Sequence, residues 1–288
     1  MQTQDPYSLD KSKVLDPPKS IGGTIKHLGP GFILSASIVG SGELIATTKL
    51  GAQAGFIAMW VILVSCLVKV AVQLEFGKRA IMTGETTFAS FNSLPGFKIG
   101  KANWSVWTWL GLMLVKFLQV GGIVGLVAVL LNMAVPSLSV FWWLLIVVLA
   151  ISGIVVSGYY KVLEVMSVSM IGLFTLFTVF SLIALQNTEA AISMGDVLSG
   201  LQFKMPEGAE MTILVIGAFG LTGVGGDEIM AYNYWLIEKG YASNTGENDG
   251  SEEWATRARG WIKVMYIDAI FAMLVYTVVT VAFFLLGS

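Results

Sequence analysis

Charge is scarce in this 288-residue chain: Asp, Glu, Lys and Arg make up 12% of it, against 55% hydrophobic residues and a mean hydropathy of +0.76. Soluble domains carry about 25% charged residues, so most of this chain is not built to face water. Cysteine occurs once, as Cys66, which excludes a disulfide framework and a Cys-rich metal module. Histidine also occurs once, as His27, so no histidine metal site can be assembled. All seven prolines fall outside the strongly apolar stretches, so an interrupted helix here must be broken by glycine and polar residues. No basic, aromatic-rich patch suggests nucleic acid as a partner. No nucleophile, base and orienting group can be placed together, so an enzyme is not expected. The first thirty residues are polar and lack the apolar core and cleavage site of a secretory signal.

What is abundant is apolar length. A helix needs about 20 mainly apolar residues to cross a hydrocarbon core of about 30 Å, and seven stretches qualify: 31–49, 52–76, 105–131, 138–157, 163–185, 211–237 and 262–286. The expected organisation is an all-α integral membrane protein, with a cytoplasmic tail over 1–30 and a single transmembrane domain over 31–288. Lys and Arg concentrate in the segments that an inside N-terminus places in the cytoplasm, leaving Lys49 and Lys204 outside. The predicted location is therefore the plasma membrane, multi-pass, with the lipid bilayer as surroundings. Trp104, Trp107 and Trp109 read as headgroup anchors, and Trp254, Arg257 and Trp261 as a short interfacial helix after a polar loop.

Two spans are least membrane-like at their centres. The first holds Gly40-Ser41-Gly42-Glu43, two glycines around a serine followed by a carboxylate. A mid-bilayer charge costs a few kcal/mol even on the lenient scale. The sixth holds Thr222-Gly223-Val224-Gly225-Gly226-Asp227-Glu228. Neighbouring side chains on a regular helix diverge by about 100°, so Asp227 and Glu228 reach one small site only if the helix unwinds. Paired discontinuous helices in corresponding positions mark a transporter's midplane site, here as spans one and six of a five-plus-five inverted repeat. Carboxylates and exposed carbonyls are hard oxygen ligands, suited to Mg²⁺, Ca²⁺ or Mn²⁺. The plainer reading makes the glycines helix-packing positions and Glu43 a hydrogen-bonded group in a bundle.

The run from Gly29-Pro30-Gly31-Phe32 to Gly51-Ala52 resembles the first span of the Nramp family of divalent metal transporters. Where that family carries Asp-Pro-Gly-Asn, this chain has Gly40, Ser41, Gly42 and Glu43; where it carries Ala-x-x-Met-Pro-His-Asn, this chain has Thr222 through Glu228. The breaks match and most of their side chains do not. The resemblance implies a LeuT-type helical bundle of the APC superfamily, first and sixth spans discontinuous, with a metal between the breaks and typically coupled to protons. Such a fold has ten core spans against seven here, so a further segment or another chain is expected to complete the second repeat. The family's aspartate, methionine and histidine are absent, which moves the expected cargo toward Mg²⁺ or Mn²⁺. The expected ligands are Glu43, Asp227 and Glu228, with carbonyls near Gly40 and Thr222, and no cofactor beyond the transported ion. An organic-solute carrier of the same fold and a non-transporting sensor stand as alternatives. Of the other charges within spans, Glu75, Glu164 and Asp268 are expected to reach water from span ends. Lys69 and Lys116 stay open between structural ion pairs and an ion path.

Overall fold

The computed structural model describes residues 7–10, 12–39, 43–157 and 160–288. Its helices are α1 (Ile21–His27), α2 (Pro30–Ile38), α3 (Leu44–Ala54), α4 (Met59–Thr83), α5 (Thr87–Asn92), α6 (Trp104–Ala134), α7 (Val140–Val156), α8 (Tyr160–Leu185), α9 (Met194–Ser199), α10 (Ala209–Leu221), α11 (Gly226–Glu238), α12 (Tyr241–Thr245) and α13 (Glu252–Gly287). A two-stranded antiparallel hairpin precedes α6, with β1 (Lys98–Ile99) paired to β2 (Ala102–Asn103). A 3-10 turn over Gly55–Ala58 joins α3 to α4. Four helical stretches among the described residues are long and apolar enough to cross a membrane: Leu44–Thr83, Trp104–Ala134, Ala209–Glu238 and Glu252–Gly287.

The chain divides into two compact units, residues 88–163 and the remainder. In the smaller unit α6 packs against α7, and Asn103 caps α6 by accepting from the Ser105 amide. Trp109 meets Phe88 edge to face, while Trp104 and Trp107 are exposed near the start of the helix. Both helices present Leu, Val, Phe and Ile outward, Leu114, Phe117 and Leu118 among them. Such a surface suits acyl chains and no aqueous phase.

In the larger unit α13 is the spine, lying along α2, α3 and α4, with α11 against α2 and α4 and α10 against α3 and α4. Its core is apolar and closely packed, with Leu34, Ile62, Leu236, Trp261, Met265, Tyr276 and Phe284 all buried. Two glycines set the approach of α3 to α13. A Cβ on Gly51 would run into the Phe284 carbonyl, and one on Gly287 into that of Thr48. Close backbone contact through small residues is how membrane helices associate when no hydrophobic drive separates protein from lipid.

Helix α13 begins ten residues before the apolar stretch read from the sequence. Trp254 and Trp261 are buried rather than interfacial, so the expected short surface helix is the first turns of one continuous helix. The N-terminal segment covers them. Trp261 Nε1–H donates to the Leu15 carbonyl at 2.9 Å, Leu15 N–H donates to the Asn244 carbonyl, and Pro17 sits on Gly260. Tyr7 donates to Glu238, and His27 meets Trp261 edge to face. Burial holds the His27 imidazole below its ordinary pKa. On the connection from α8 to α10, the Ser193 and Asp196 side chains form a reciprocal cap at the start of α9.

Asp268 corrects the expectation that it reaches water. It is fully buried in α13, and its carboxylate accepts from the amides of Gly29 (3.0 Å) and Gly31 (2.6 Å) and from Tyr232 (3.3 Å). Those amides open α2, where unpaired N–H groups and the helix dipole favour an anion. Pro30 between them has no amide of its own to satisfy. Glu75, by contrast, is largely exposed and pairs with Lys78; the side chain of Glu164 lies outside the described set.

Two consequences are measurable by thermal unfolding of the detergent-solubilised chain. Gly51→Leu forces α3 from α13 and is expected to destabilise by about 1–3 kcal/mol. Asp268→Ala strands two buried amides and is expected to cost about 2–4 kcal/mol, with Asp268→Asn losing less.

Candidate metal site between two broken helices

The predicted interruption of the sixth span occurs, while that of the first falls on residues outside the described set. On its flanks α2 ends at Ile38 and α3 begins at Leu44, with Val39 and Glu43 both in right-handed helical conformation. Gly40, Ser41 and Gly42 lie outside the described residues, so the Gly40 carbonyl has no place in the geometry below. The interruption of the sixth span separates α10 from α11 over residues 222–225. Thr222 is extended (φ −80°, ψ 146°), and Gly223 turns the chain at φ +72°, a conformation that disfavours any side chain. Space is tight as well: a Cβ on Gly223 would lie 3.2 Å from the Cα of Cys66, so α4 would have to give by a few tenths of an ångström.

Glu43 reaches from the start of α3 to the break between α10 and α11. Standing at the start of α3 and 1% exposed, it accepts from the Gly223 amide through Oε1 at 2.6 Å. Its Oε2 meets the Thr280 hydroxyl of α13, which also lies 2.7 Å from the Tyr276 carbonyl. One carboxylate thus holds three elements that are distant in sequence. Each carboxylate oxygen retains acceptor capacity beyond these single bonds.

The open end of α10 is closed by a cation. Lys69 of α4 donates to the carbonyls of Phe219 (2.8 Å), Gly220 (2.9 Å) and Thr222 (2.7 Å), one for each ammonium hydrogen. Ser65, one turn earlier on α4, reaches the Phe219 and Thr222 carbonyls at 2.8 and 2.9 Å. The Thr222 carbonyl, expected to face a metal, therefore already serves Lys69 and Ser65. The Thr222 hydroxyl is different, being fully buried with no hydrogen-bond partner among the described residues. A buried polar atom without a partner costs about 1–3 kcal/mol, and here it marks a place where an oxygen ligand faces an unfilled role.

Asp227 and Glu228 do not sit in unwound chain; they are the first turn of α11. Both curl back toward the break: the position of a Cβ on Gly225 lies 3.3 Å from Asp227 Oδ1 and 3.2 Å from Glu228 Cδ. Carboxylates there complement the positive end of the helix dipole. Both are half-buried. Glu228 and Lys69 lie near enough to Glu43 to act on its charge. Among the described residues, no three of His, Cys, Asp and Glu come close enough together to hold a metal. Glu43 thus meets the break at the Gly223 amide, the residue after Thr222, with Asp227 and Glu228 curled toward it from the first turn of α11 but not closed around a common point.

The sequence did not signal Thr280, whose hydroxyl lies deep in an ordinary apolar helix, nor the Gly223 amide. Cys66 likewise lies behind the break, against Gly223, with nothing in its local sequence to mark it. Lys116 lies half-buried in α6 of the smaller unit.

Comparison with known proteins was consistent with this architecture. No curated protein sequence matches the chain. Among solved structures, a mutant of the Eremococcus coleocola manganese transporter shares the fold, with a TM-score of 0.72 at 13% sequence identity, the match covering 95% of this chain. It covers 54% of the transporter, so the present chain spans about half the length of that protein. The fold is accordingly a LeuT-type helical bundle and the protein a multi-pass membrane protein. The profile described as natural resistance-associated macrophage protein-like matches residues 31–287, nearly the whole chain, which therefore belongs to the Nramp family.

Proposed function

We propose that this chain forms the cation-binding part of a carrier that moves a hard divalent cation, Mg²⁺ or Mn²⁺, across the plasma membrane by alternating access. The observation that carries this reading is the buried Glu43 carboxylate reaching from one broken helix to the backbone of the other. A carboxylate buried beside an unwound membrane segment is expensive, and a cation that uses it offsets that cost. In this reading Glu43 is the principal ligand and the unpartnered Thr222 hydroxyl a neutral one. Asp227 and Glu228 close from the first turn of α11 when the ion arrives. The Thr222 carbonyl joins the shell only if Lys69 withdraws.

Donor chemistry supports the choice of cargo. Oxygen dominates the breaks, and no methionine or histidine stands in either one, so nothing there favours soft ions over Mg²⁺ or Mn²⁺. The comparison transporter's name attaches manganese to a protein of the same fold. An organic anion fits less well, since Glu43, Asp227 and Glu228 would repel it. We place the N-terminus in the cytoplasm, because lysines and arginines gather on the segments that share its side.

Uptake into proteoliposomes tests the assignment. Glu43→Gln and Asp227→Asn are each expected to lower Mn²⁺ or Mg²⁺ uptake at least about tenfold, a loss of about 1.4 kcal/mol. Uptake equal to wild type in both variants would remove these carboxylates from the site. Vesicles given an inward proton gradient report coupling in the same assay. Ion binding to the folded state also raises its melting temperature by mass action. Mn²⁺ is therefore expected to stabilise wild type and not Glu43→Gln, with the effect reversed by EDTA.

A further inference from the structure

The end of α10 is built as a cation seat. Its carbonyls of Phe219, Gly220 and Thr222 point at one small volume, and the Lys69 ammonium occupies it with three bonds of 2.7–2.9 Å. Carbonyl oxygens converging at a helix C-terminus carry the negative end of its dipole. Oxygen ligands of this kind also bind hard metal cations. The lysine is half-buried, its ammonium lies 5.6 Å from the centre of the Phe219 ring, and Glu43 and Glu228 both attract it. Lys69 is thus fixed where a mobile cation would otherwise be stabilised by the same oxygens.

We propose that the carbonyl cradle at the end of α10 is a monovalent-cation site in which Lys69 serves as a tethered occupant, so that a small cation or a primary ammonium ion takes the seat once the lysine is removed. Two consequences follow from charge and valence. The cradle oxygens are spent on Lys69, so the transported ion draws its ligands from the Glu43 carboxylate and not from these carbonyls. A fixed positive charge beside Glu43 and Glu228 also leaves no place there for a monovalent co-ion. These consequences depend on the transport function proposed above; the seat and its occupant depend only on the hydrogen-bond geometry.

Helix capping alone would also place a lysine at a C-terminus, and the experiment separates the two by replacing the charge from solution. The full chain in detergent is melted in N-methylglucamine buffer, with Na⁺, K⁺ or methylammonium then added at constant ionic strength. Lys69→Ala is expected to melt about 3–6 °C below wild type. Na⁺ or methylammonium in the millimolar range is expected to recover at least half of that loss, while tetramethylammonium, too large for the cradle, recovers none. Wild type is expected to respond equally to all four cations. Lys69→Met, which keeps the apolar stem, serves as the second variant if Lys69→Ala fails to fold, with the same recovery expected. No loss on removing the lysine, a loss that no small cation reverses, or a wild type that Na⁺ or methylammonium stabilises as much as it stabilises Lys69→Ala would each overturn the proposal. None of these readouts requires transport, so failure of the proposed function would leave this result standing, and the reverse.

Discussion

Backbone amides and carbonyls released by an interrupted helix have no water to turn to inside a bilayer, and each one left unsatisfied costs several kcal/mol. Every break in this chain is therefore a demand for a buried polar partner from elsewhere. Glu43 answers it for the Gly223 amide, Lys69 for the last carbonyls of α10, and Asp268 for the first amides of α2. Opposite charges meet opposite helix ends: anions at N–H termini and a cation at a C=O terminus. These contacts tie α2, α3, α4, α10, α11 and α13 into one polar frame within an otherwise apolar unit. Without them the two breaks would be faults in the fold instead of a site.

That frame also explains why the glycines are where they are. Gly223 supplies a left-handed turn against the backbone of Cys66, while Gly51 and Gly287 bring α3 close enough to α13 for Thr280 to reach Glu43. Packing and site are one construction, since the helix that carries Thr280 and Asp268 is the same one that the small residues draw in. The cost of burying Asp268 is offset by hydrogen bonds to fixed backbone donors, which need no reorganisation once the helices are in place.

Much of the site was legible because interrupted helices leave a compositional trace. Glycines and carboxylates at the centre of an apolar run located the break between α10 and α11 to within a few residues, and Glu43 was singled out by its depth alone. The partners were not legible. Thr280 and Ser65 are ordinary membrane-helix residues, and Lys69 could not be told from an ion-path residue. Asp268 was misplaced because distance from a span end says nothing about what packs over it. In the structure the start of α2 covers it. Trp254 and Trp261 failed for a related reason: an amphipathic tryptophan pattern looks interfacial until the N-terminal segment is seen lying across it. Local sequence reports where backbone is disrupted; tertiary contact decides which side chain repairs it.

Membership of the Nramp family fixes the scaffold, while the side chains around the break between α10 and α11 are oxygen donors and a lysine hydrogen-bonded to the end of α10. The central claim is that the two breaks enclose the cation. Diffraction from Mn²⁺-soaked crystals of the full chain, collected above and below the manganese absorption edge, tests it most directly. The account predicts one dominant anomalous peak between the breaks, in coordinating contact with the Glu43 carboxylate and absent from Glu43→Gln crystals. A peak elsewhere in the molecule, or one that persists without that carboxylate, would contradict it.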